Sequence, residues 1–143
     1  MFDYPNCKTI LCIDDNEGML DYQRALLERR GYAVLTAASP RQGLQIATAR
    51  GIAAVIVDYH MPEMNGHEVA MEIKRLRPQI PIVMVSSDEE IPENVLKVVD
   101  AFVSKCEAPN QLLPVITRFC GESLSGLLEG PGSPPEKAYS PWL

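Results

Sequence analysis

Five polar residues each stand at the end of a short apolar run in the sequence: Asp14, Asp15, Asp58, Ser86 and Lys105. Carboxylates that lie close together repel one another when they are ionised, and a hard divalent cation such as Mg²⁺ relieves that repulsion. A bound cation also holds a phosphoryl group against a carboxylate, while a hydroxyl and an ammonium donate to the phosphoryl oxygens. A carboxylate nucleophile then forms an acyl phosphate. These residue types indicate Mg²⁺-dependent phosphoryl transfer, provided that the fold brings them together.

The strongest structural signal is the apolar run at residues 53–57, which leads directly into Asp58. An unbroken run of small and β-branched residues between turn signals predicts a strand that is buried on both faces. The turn that follows carries Met61, Pro62 and Gly66. An aspartate at this position could equally well cap the turn, so its role depends on which other residues reach the same place.

Strands and helices are expected to alternate five times along the chain. The apolar runs predict strands at 8–13, 33–37, 53–57, 81–85 and 101–104. This alternation is typical of an α/β fold in which helices cover both faces of a parallel sheet. Because right-handed crossovers place the carboxyl ends of all the strands at one edge of the sheet, the five polar residues should converge there.

The first helix should open at Asn16 and run for about fourteen residues, with a buried stripe made of Met19, Tyr22, Leu26 and Leu27. The second helix is expected to be capped by Ser39 and the third to begin at Gly66. The fourth helix is predicted at 92–99 and the last helix from near Pro109.

The composition and charge of the chain limit the classes of function that it can have. The 143 residues are 46% hydrophobic and 22% charged, which suits one soluble globular domain. The net charge of −6 argues against a direct nucleic-acid partner, because phosphate binding needs a basic surface. No apolar run reaches the ~20 residues of a membrane span, and the N-terminus does not resemble a secretory signal, so a cytoplasmic location is expected. A Pro-, Gly- and Ser-rich stretch predicts a folded domain at 1–120 and a flexible tail at 121–143.

Four motifs in order resemble the receiver domain of two-component response regulators, in particular the single-domain, chemotaxis-regulator-like kind. They are Ile-Asp-Asp after the first strand, Val-Asp-Tyr-His-Met-Pro-Glu-Met-Asn-Gly at the third, Val-Ser at the fourth and Phe-Val-Ser-Lys at the fifth. The resemblance covers residues 7–120, and the order of the motifs is far more specific than any one of them. It implies a flavodoxin-like, doubly wound sheet of five parallel strands in the order 2-1-3-4-5.

The resemblance also implies the roles of the acidic residues. Asp58 would accept the phosphoryl group. Asp15 and Asp58 would bind Mg²⁺ directly, together with the backbone carbonyl of His60, and Asp14 would act through a metal-bound water.

For the other two strand ends, the resemblance implies that Ser86 and Lys105 bond phosphoryl oxygens. Ser86 and Phe102 would form a switch: the hydroxyl moves toward the phosphate and the aromatic ring turns inward. The family usually has proline after the lysine, often in a cis peptide. Cys106 stands there in this chain, so a trans peptide is expected.

The function implied by the resemblance is that of a stand-alone receiver in a phosphorelay. A histidine kinase or a histidine phosphotransfer protein would donate the phosphoryl group, and an effector protein would recognise the changed state. The protein would not be a turnover enzyme, apart from slow autodephosphorylation. A homodimer through the face of helix 4, strand 5 and helix 5 is also compatible with the resemblance.

Three alternatives remain at this point. The first is a receiver-like interaction module that works without phosphorylation. The second is a haloacid-dehalogenase-like phosphatase, although such enzymes carry Asp-x-Asp after the first strand whereas Asp14 and Asp15 are adjacent here. The third is a flavodoxin-like cofactor binder, whose phosphate the acids at 14, 15 and 17 would repel.

Overall fold

A computed structural model of the chain describes residues 8–87 and 90–121. The predicted tail therefore lies, from residue 122 onward, outside the described residues. Five strands alternate with five helices in chain order: β1 Thr9–Ile13, α1 Glu17–Glu28, β2 Ala33–Ala37, α2 Pro40–Ala49, β3 Ala54–Asp58, α3 Gly66–Leu76, β4 Ile82–Ser86, α4 Glu93–Leu96, β5 Ala101–Ser104 and α5 Ala108–Cys120.

The strands form one parallel sheet in the order β2-β1-β3-β4-β5. The predicted fold class and strand order are thus confirmed. The register places Asp58 beside Val85 and Ser86 beside Ser104. The ends of the three strands β3, β4 and β5 are therefore level, which sets their last residues at one edge of the sheet.

Alternate residues of the strands build two cores, one on each face of the sheet. All five residues of β3 and all five of β4 are buried. Ile10 and Ile56 face a core that includes residues of α1 and α5, whereas Leu11 and Val57 face a core with residues of α2 and α3. Since both faces are covered, each central strand must be apolar along its whole length. This is why the strands could be recognised as unbroken apolar runs.

The first helix differs from its prediction. It has twelve residues, and its buried residues are Leu20, Gln23 and Leu27. Tyr22, which was expected in the buried stripe, is 37% exposed. The buried side of the helix is therefore rotated from the predicted stripe. The prediction missed it because one of its residues, Gln23, is polar, and a pattern of apolar residues cannot identify a buried polar side chain.

The fourth helix is also shorter than predicted, with four residues in place of the expected 92–99. The chain leaves this helix early because Asp100 returns it to the sheet. The Asp100 N–H donates to the Ile82 carbonyl at 2.8 Å, and the Asp100 carboxylate accepts from the Ile82 N–H at 2.8 Å. Lys74 of α3 completes the contact with an ion pair of 2.7 Å to Asp100. These bonds fix where β5 begins beside β4.

In the described part of the chain, no helix has both the length and the apolar character required to span a membrane.

Candidate functional site

The polar residues singled out in the sequence meet at the carboxyl edge of the sheet. Asp58 is the last residue of β3 and Ser86 is the last residue of β4. Asp14 follows β1 directly, and Lys105 follows β5 directly. In an open parallel sheet, this edge is where ligands bind. The structure therefore places these four residues, with Asp15 next to Asp14, at the edge of the sheet where ligands bind in such folds.

Three carboxylates form the acidic part of this site. Asp14, Asp15 and Asp58 each offer an oxygen atom, and these three atoms lie within 4.8 Å of one another. Asp14 and Asp58 are buried, whereas Asp15 is exposed. The cluster is thus walled by protein on one side and open to solvent on the other, so that a small cation could enter from the side of Asp15.

Lys105 is the cation that balances this cluster in the structure. Its Nζ atom lies 3.2 Å from Asp58 Oδ1 and 3.7 Å from Asp14 Oδ2. The backbone of Lys105 is tied to the neighbouring strand, because its N–H donates to the Ser86 carbonyl at 2.9 Å. One ammonium, which follows the outermost strand β5, therefore reaches two of the three carboxylates.

Among the described residues, a hydrogen bond reaches only one of the two carboxylate oxygens of Asp14. Its Oδ1 accepts a hydrogen bond of 2.9 Å from the N–H of Asn16, the residue that caps α1. Its Oδ2 is buried and has no hydrogen-bond partner within the described residues. Burial raises the pKa of Asp14 from 3.8 to about 6, while the bond from Asn16 opposes this rise and the charge of Asp58 adds to it. Asp14 Oδ2 thus accepts no hydrogen bond from the described part of the chain, lies 3.7 Å from the Lys105 ammonium, and stands beside two other carboxylates. A hard divalent cation satisfies such a group of oxygens.

Asp58 has a similar environment, but Lys105 lies closer to it than to Asp14. Burial raises its pKa, and the ammonium of Lys105 is the main influence that lowers it. Asp15 adds a repulsive charge. A metal at this place would favour the ionised carboxylate in the same way as Lys105 does. The residues present therefore fit the Mg²⁺ site that the sequence predicts.

The loop from β3 to α3 is shaped by backbone contacts near Asp58. The Tyr59 N–H donates to the Val85 carbonyl at 2.9 Å, and the Gly66 N–H donates to the Tyr59 carbonyl at 2.8 Å. A Cβ atom at Gly66 would collide with the carbonyl oxygen of Asp58. The sequence correctly predicted that a turn leads to Gly66 and that the third helix begins there, but it did not predict this contact. The available signal for this contact was the motif Met61-Pro62 with a glycine four residues later, at Gly66.

The remaining predicted residues occupy different surroundings. Ser86 is fully buried at the end of β4. Phe102 is half-buried and packs against the core that lies under α2 and α3. His60 is exposed, and its ring lies 4.8 Å from that of Tyr59 between centroids. Within the described residues, every peptide bond is trans, so the bond between Lys105 and Cys106 is trans as expected.

Comparison with known proteins was consistent with this geometry. The sequence model of the response regulator receiver domain matches residues 10–117. The chain is 33% identical to the transcriptional regulatory protein GlrR of Escherichia coli (strain K12) over 86 residues, which covers 60% of this chain and 19% of that protein. The first curated relatives that it matches are longer: the chain spans between 19% and 46% of their lengths.

Solved structures resemble the whole described fold. A CheY-like response regulator receiver domain protein from Methanospirillum hungatei JF-1 is 30% identical, with a TM-score of 0.75 over 80% of this chain and 94% of that one. The response regulator protein TrrA from Thermotoga maritima, solved in complex with Mg(2+)-BeF, shares the fold at 24% identity. Its TM-score is also 0.75, over 78% of this chain and 98% of that one.

Proposed function

Because the chain belongs to the response regulator receiver domain family, we propose that it accepts a phosphoryl group on Asp58 in a Mg²⁺-dependent reaction. The observation that carries this proposal is the position of Lys105. Its Nζ atom lies 3.2 Å from Asp58 and 3.7 Å from Asp14, in a cluster of three carboxylates. An ammonium in this place can pair with an oxygen of a phosphoryl group that becomes attached to Asp58.

In the proposed reaction, an oxygen of the Asp58 carboxylate attacks the phosphorus atom of the donor. A new P–O bond forms, and the bond from phosphorus to the donor nitrogen or oxygen breaks. The leaving group takes the electron pair of that bond, and Asp58 becomes an acyl phosphate. Burial of Asp58 limits the access of water to the acceptor carboxylate.

The residues that would hold Mg²⁺ are Asp15 and Asp58, together with the backbone carbonyl of His60. Asp14 would act through a metal-bound water, with Oδ2, which accepts no hydrogen bond from the described residues, as the acceptor. When it is bound, Mg²⁺ would neutralise charge between the acceptor carboxylate and the incoming phosphoryl group. Such a role requires the three carboxylates to be ionised, and a bound cation would oppose the rise that burial causes in the pKa of Asp14.

Ser86 and Phe102 would carry the signal away from Asp58. Ser86 is buried at the end of β4, and the next strand, β5, carries Phe102 beside Met84. A hydroxyl that moves toward the phosphoryl group leaves space behind it, and the half-buried ring of Phe102 can enter that space. Phosphorylation would in this way bias a two-state surface near α4, β5 and α5.

A histidine kinase or a histidine phosphotransfer protein is the proposed donor, and an effector protein the proposed recipient of the signal. Such donors also agree with the cytoplasmic location expected from the sequence. The family acts as phosphoryl acceptor rather than as a turnover enzyme, and slow autodephosphorylation of Asp58 is part of the proposal. The face formed by α4, β5 and α5 is the proposed surface for a homodimer.

Beryllofluoride provides a direct test, because with a metal it mimics a phosphoryl group on a carboxylate. We expect beryllofluoride and Mg²⁺ together to shift the amide resonances of Ser86 and Phe102 in the wild-type protein. The Asp58→Asn variant should show no such shifts. Shifts of equal size in both proteins, or none in the folded wild type, would favour an interaction module that works without phosphorylation.

A further inference from the structure

Two hydrogen bonds accepted by Ser104 hold the loop that joins β5 to α5. The Ser104 carbonyl accepts a hydrogen bond of 2.9 Å from the Glu107 N–H. The Ser104 hydroxyl accepts a bond of 3.3 Å from the Cys106 N–H. The second bond requires a residue other than proline at position 106, because a proline nitrogen carries no hydrogen, and Cys106 supplies the N–H. A serine hydroxyl that accepts from the N–H two residues later is a common way to fix a turn.

Lys105 lies inside this turn, between two fixed peptide units. The peptide before it is tied to β4, because the Lys105 N–H donates to the Ser86 carbonyl at 2.9 Å. The peptide after it is tied by the Ser104 hydroxyl. Lysine has a long side chain with many rotamers, so the direction of its Cα–Cβ bond limits where the Nζ atom can reach. Both peptides that set this direction are held by hydrogen bonds.

We propose that Ser104 is a positioning residue for Lys105: its hydroxyl holds the peptide after Lys105 and so keeps the Nζ atom between Asp58 and Asp14. This inference rests on the function proposed above, in which Lys105 pairs with the phosphoryl group on Asp58. Ser104 itself acts only through Lys105. Register pairing with Ser86 keeps Ser104 level with the end of β4.

Loss of the Ser104 hydroxyl should affect the site more than the fold. Cys106 is exposed, so water can satisfy its N–H in the Ser104→Ala variant, and the turn remains closed by the Ser104 carbonyl. The ammonium of Lys105 then samples a wider range of positions. We expect phosphorylation by acetyl phosphate to slow about fivefold.

Magnesium affinity should change in the opposite sense. The Lys105 ammonium and a metal ion compete for the same carboxylates, so a less well-placed ammonium repels the metal less. We expect the dissociation constant for Mg²⁺ to fall about twofold in Ser104→Ala. A variant that merely loosens the fold would weaken Mg²⁺ binding and slow phosphorylation together. The two measurements therefore separate positioning from general damage.

The experiment compares wild type, Ser104→Ala and Ser104→Thr by calorimetric titration with Mg²⁺ alone and by the rate of labelling with acetyl phosphate. Thr retains the hydroxyl, so it should restore both wild-type values. Ser39→Ala is the matched control, since it also removes a serine hydroxyl that accepts a backbone N–H, that of Gln42 at 3.2 Å at the start of α2. That control should lower the melting temperature and leave both readouts at their wild-type values.

A double-mutant cycle with Lys105→Met decides whether Ser104 acts through Lys105. In the Lys105→Met background, the further change Ser104→Ala should alter neither the Mg²⁺ affinity nor the labelling rate. Equal effects in both backgrounds, or a Ser104→Ala variant that matches wild type in both measurements, would overturn the inference. The Mg²⁺ titration tests the positioning role of Ser104 even if acetyl phosphate fails to label the wild type. Failure of that labelling would count against the proposed function and not against the role of Ser104.

Discussion

The backbone of Gly66 lies directly against the carbonyl oxygen of Asp58, with no room for a side chain between them. This contact brings the first turn of α3 onto the end of β3. The capping box of α3 follows immediately: the Asn65 side chain accepts from the Glu68 N–H at 3.0 Å, and Glu68 accepts from the Asn65 N–H at 3.0 Å. The loop that carries His60 is thus fixed at both of its ends.

Replacement of Gly66 by alanine should damage both the fold and the site. The added methyl group would meet backbone atoms of Asp58 and Tyr59, which cannot move without displacing the end of β3. We expect the free energy of unfolding to fall by about 1–3 kcal/mol and Mg²⁺ binding to weaken. Gly51→Ala is the control, because a Cβ atom there meets nothing within 4 Å. Urea denaturation of the two variants measures their free energies of unfolding, and equal stability of Gly66→Ala and Gly51→Ala would contradict this account.

The buried carboxyl of Asp14 should make the metal-free protein less stable at neutral pH than at mildly acidic pH. Its pKa is raised from 3.8 to about 6 by burial, so between these values the native state binds more protons than the unfolded state. Stability therefore falls as the pH rises through this range and levels off above it. The contribution is at most ~3 kcal/mol, since each pKa unit corresponds to about 1.4 kcal/mol.

The variant Asp14→Asn tests this prediction. Without metal at pH 7.5 it should be more stable than wild type, and this advantage should shrink toward pH 4.5. In Mg²⁺ at about 100 times the dissociation constant, wild type should gain about 2.7 kcal/mol and the variant much less. Denaturation curves across this pH range, with and without Mg²⁺, give the comparison. A metal-free Asp14→Asn protein that is less stable than wild type at pH 7.5 would show that burial of this carboxylate is not costly.

Arg77 should stabilise the packing of α3 against α2. Its guanidinium donates to the carbonyls of Ala47 and Arg50 at 3.1 and 2.7 Å, at the end of α2. These carbonyls lie where a helix has no bonding partners of its own. Arg77→Ala should lower the free energy of unfolding by about 1–3 kcal/mol. Arg75→Ala removes a guanidinium that pairs with Glu72 on the surface, and it should leave the melting temperature almost unchanged. Equal melting temperatures of the two variants would contradict the role of Arg77.

The sequence predicted the centre of the sheet well because the central strands β3 and β4 are buried on both faces. Such strands are unbroken apolar runs, as at β3 and β4. Their ends also identified Asp58, Ser86 and Lys105, since topology alone brings strand ends together.

The helices were predicted less well where polar or long-range contacts decide their packing. Gln23 takes a buried place on α1 that no apolar pattern reveals, and Asp100 ends the segment after α4 through its contacts with Ile82 and Lys74. The contact of Gly66 with Asp58 and the bond from Cys106 to Ser104 depend on close approaches in space. Such contacts leave no periodic signal in the sequence.

The measurement that tests the central claim most directly is intact mass after incubation with acetyl phosphate. Wild type and Asp58→Ala should be compared, each with Mg²⁺ and with a chelator in its place. The account predicts the gain of one phosphoryl group only in wild type and only with Mg²⁺. A folded wild-type protein that gains none in Mg²⁺, or an Asp58→Ala variant that gains as much, would contradict it.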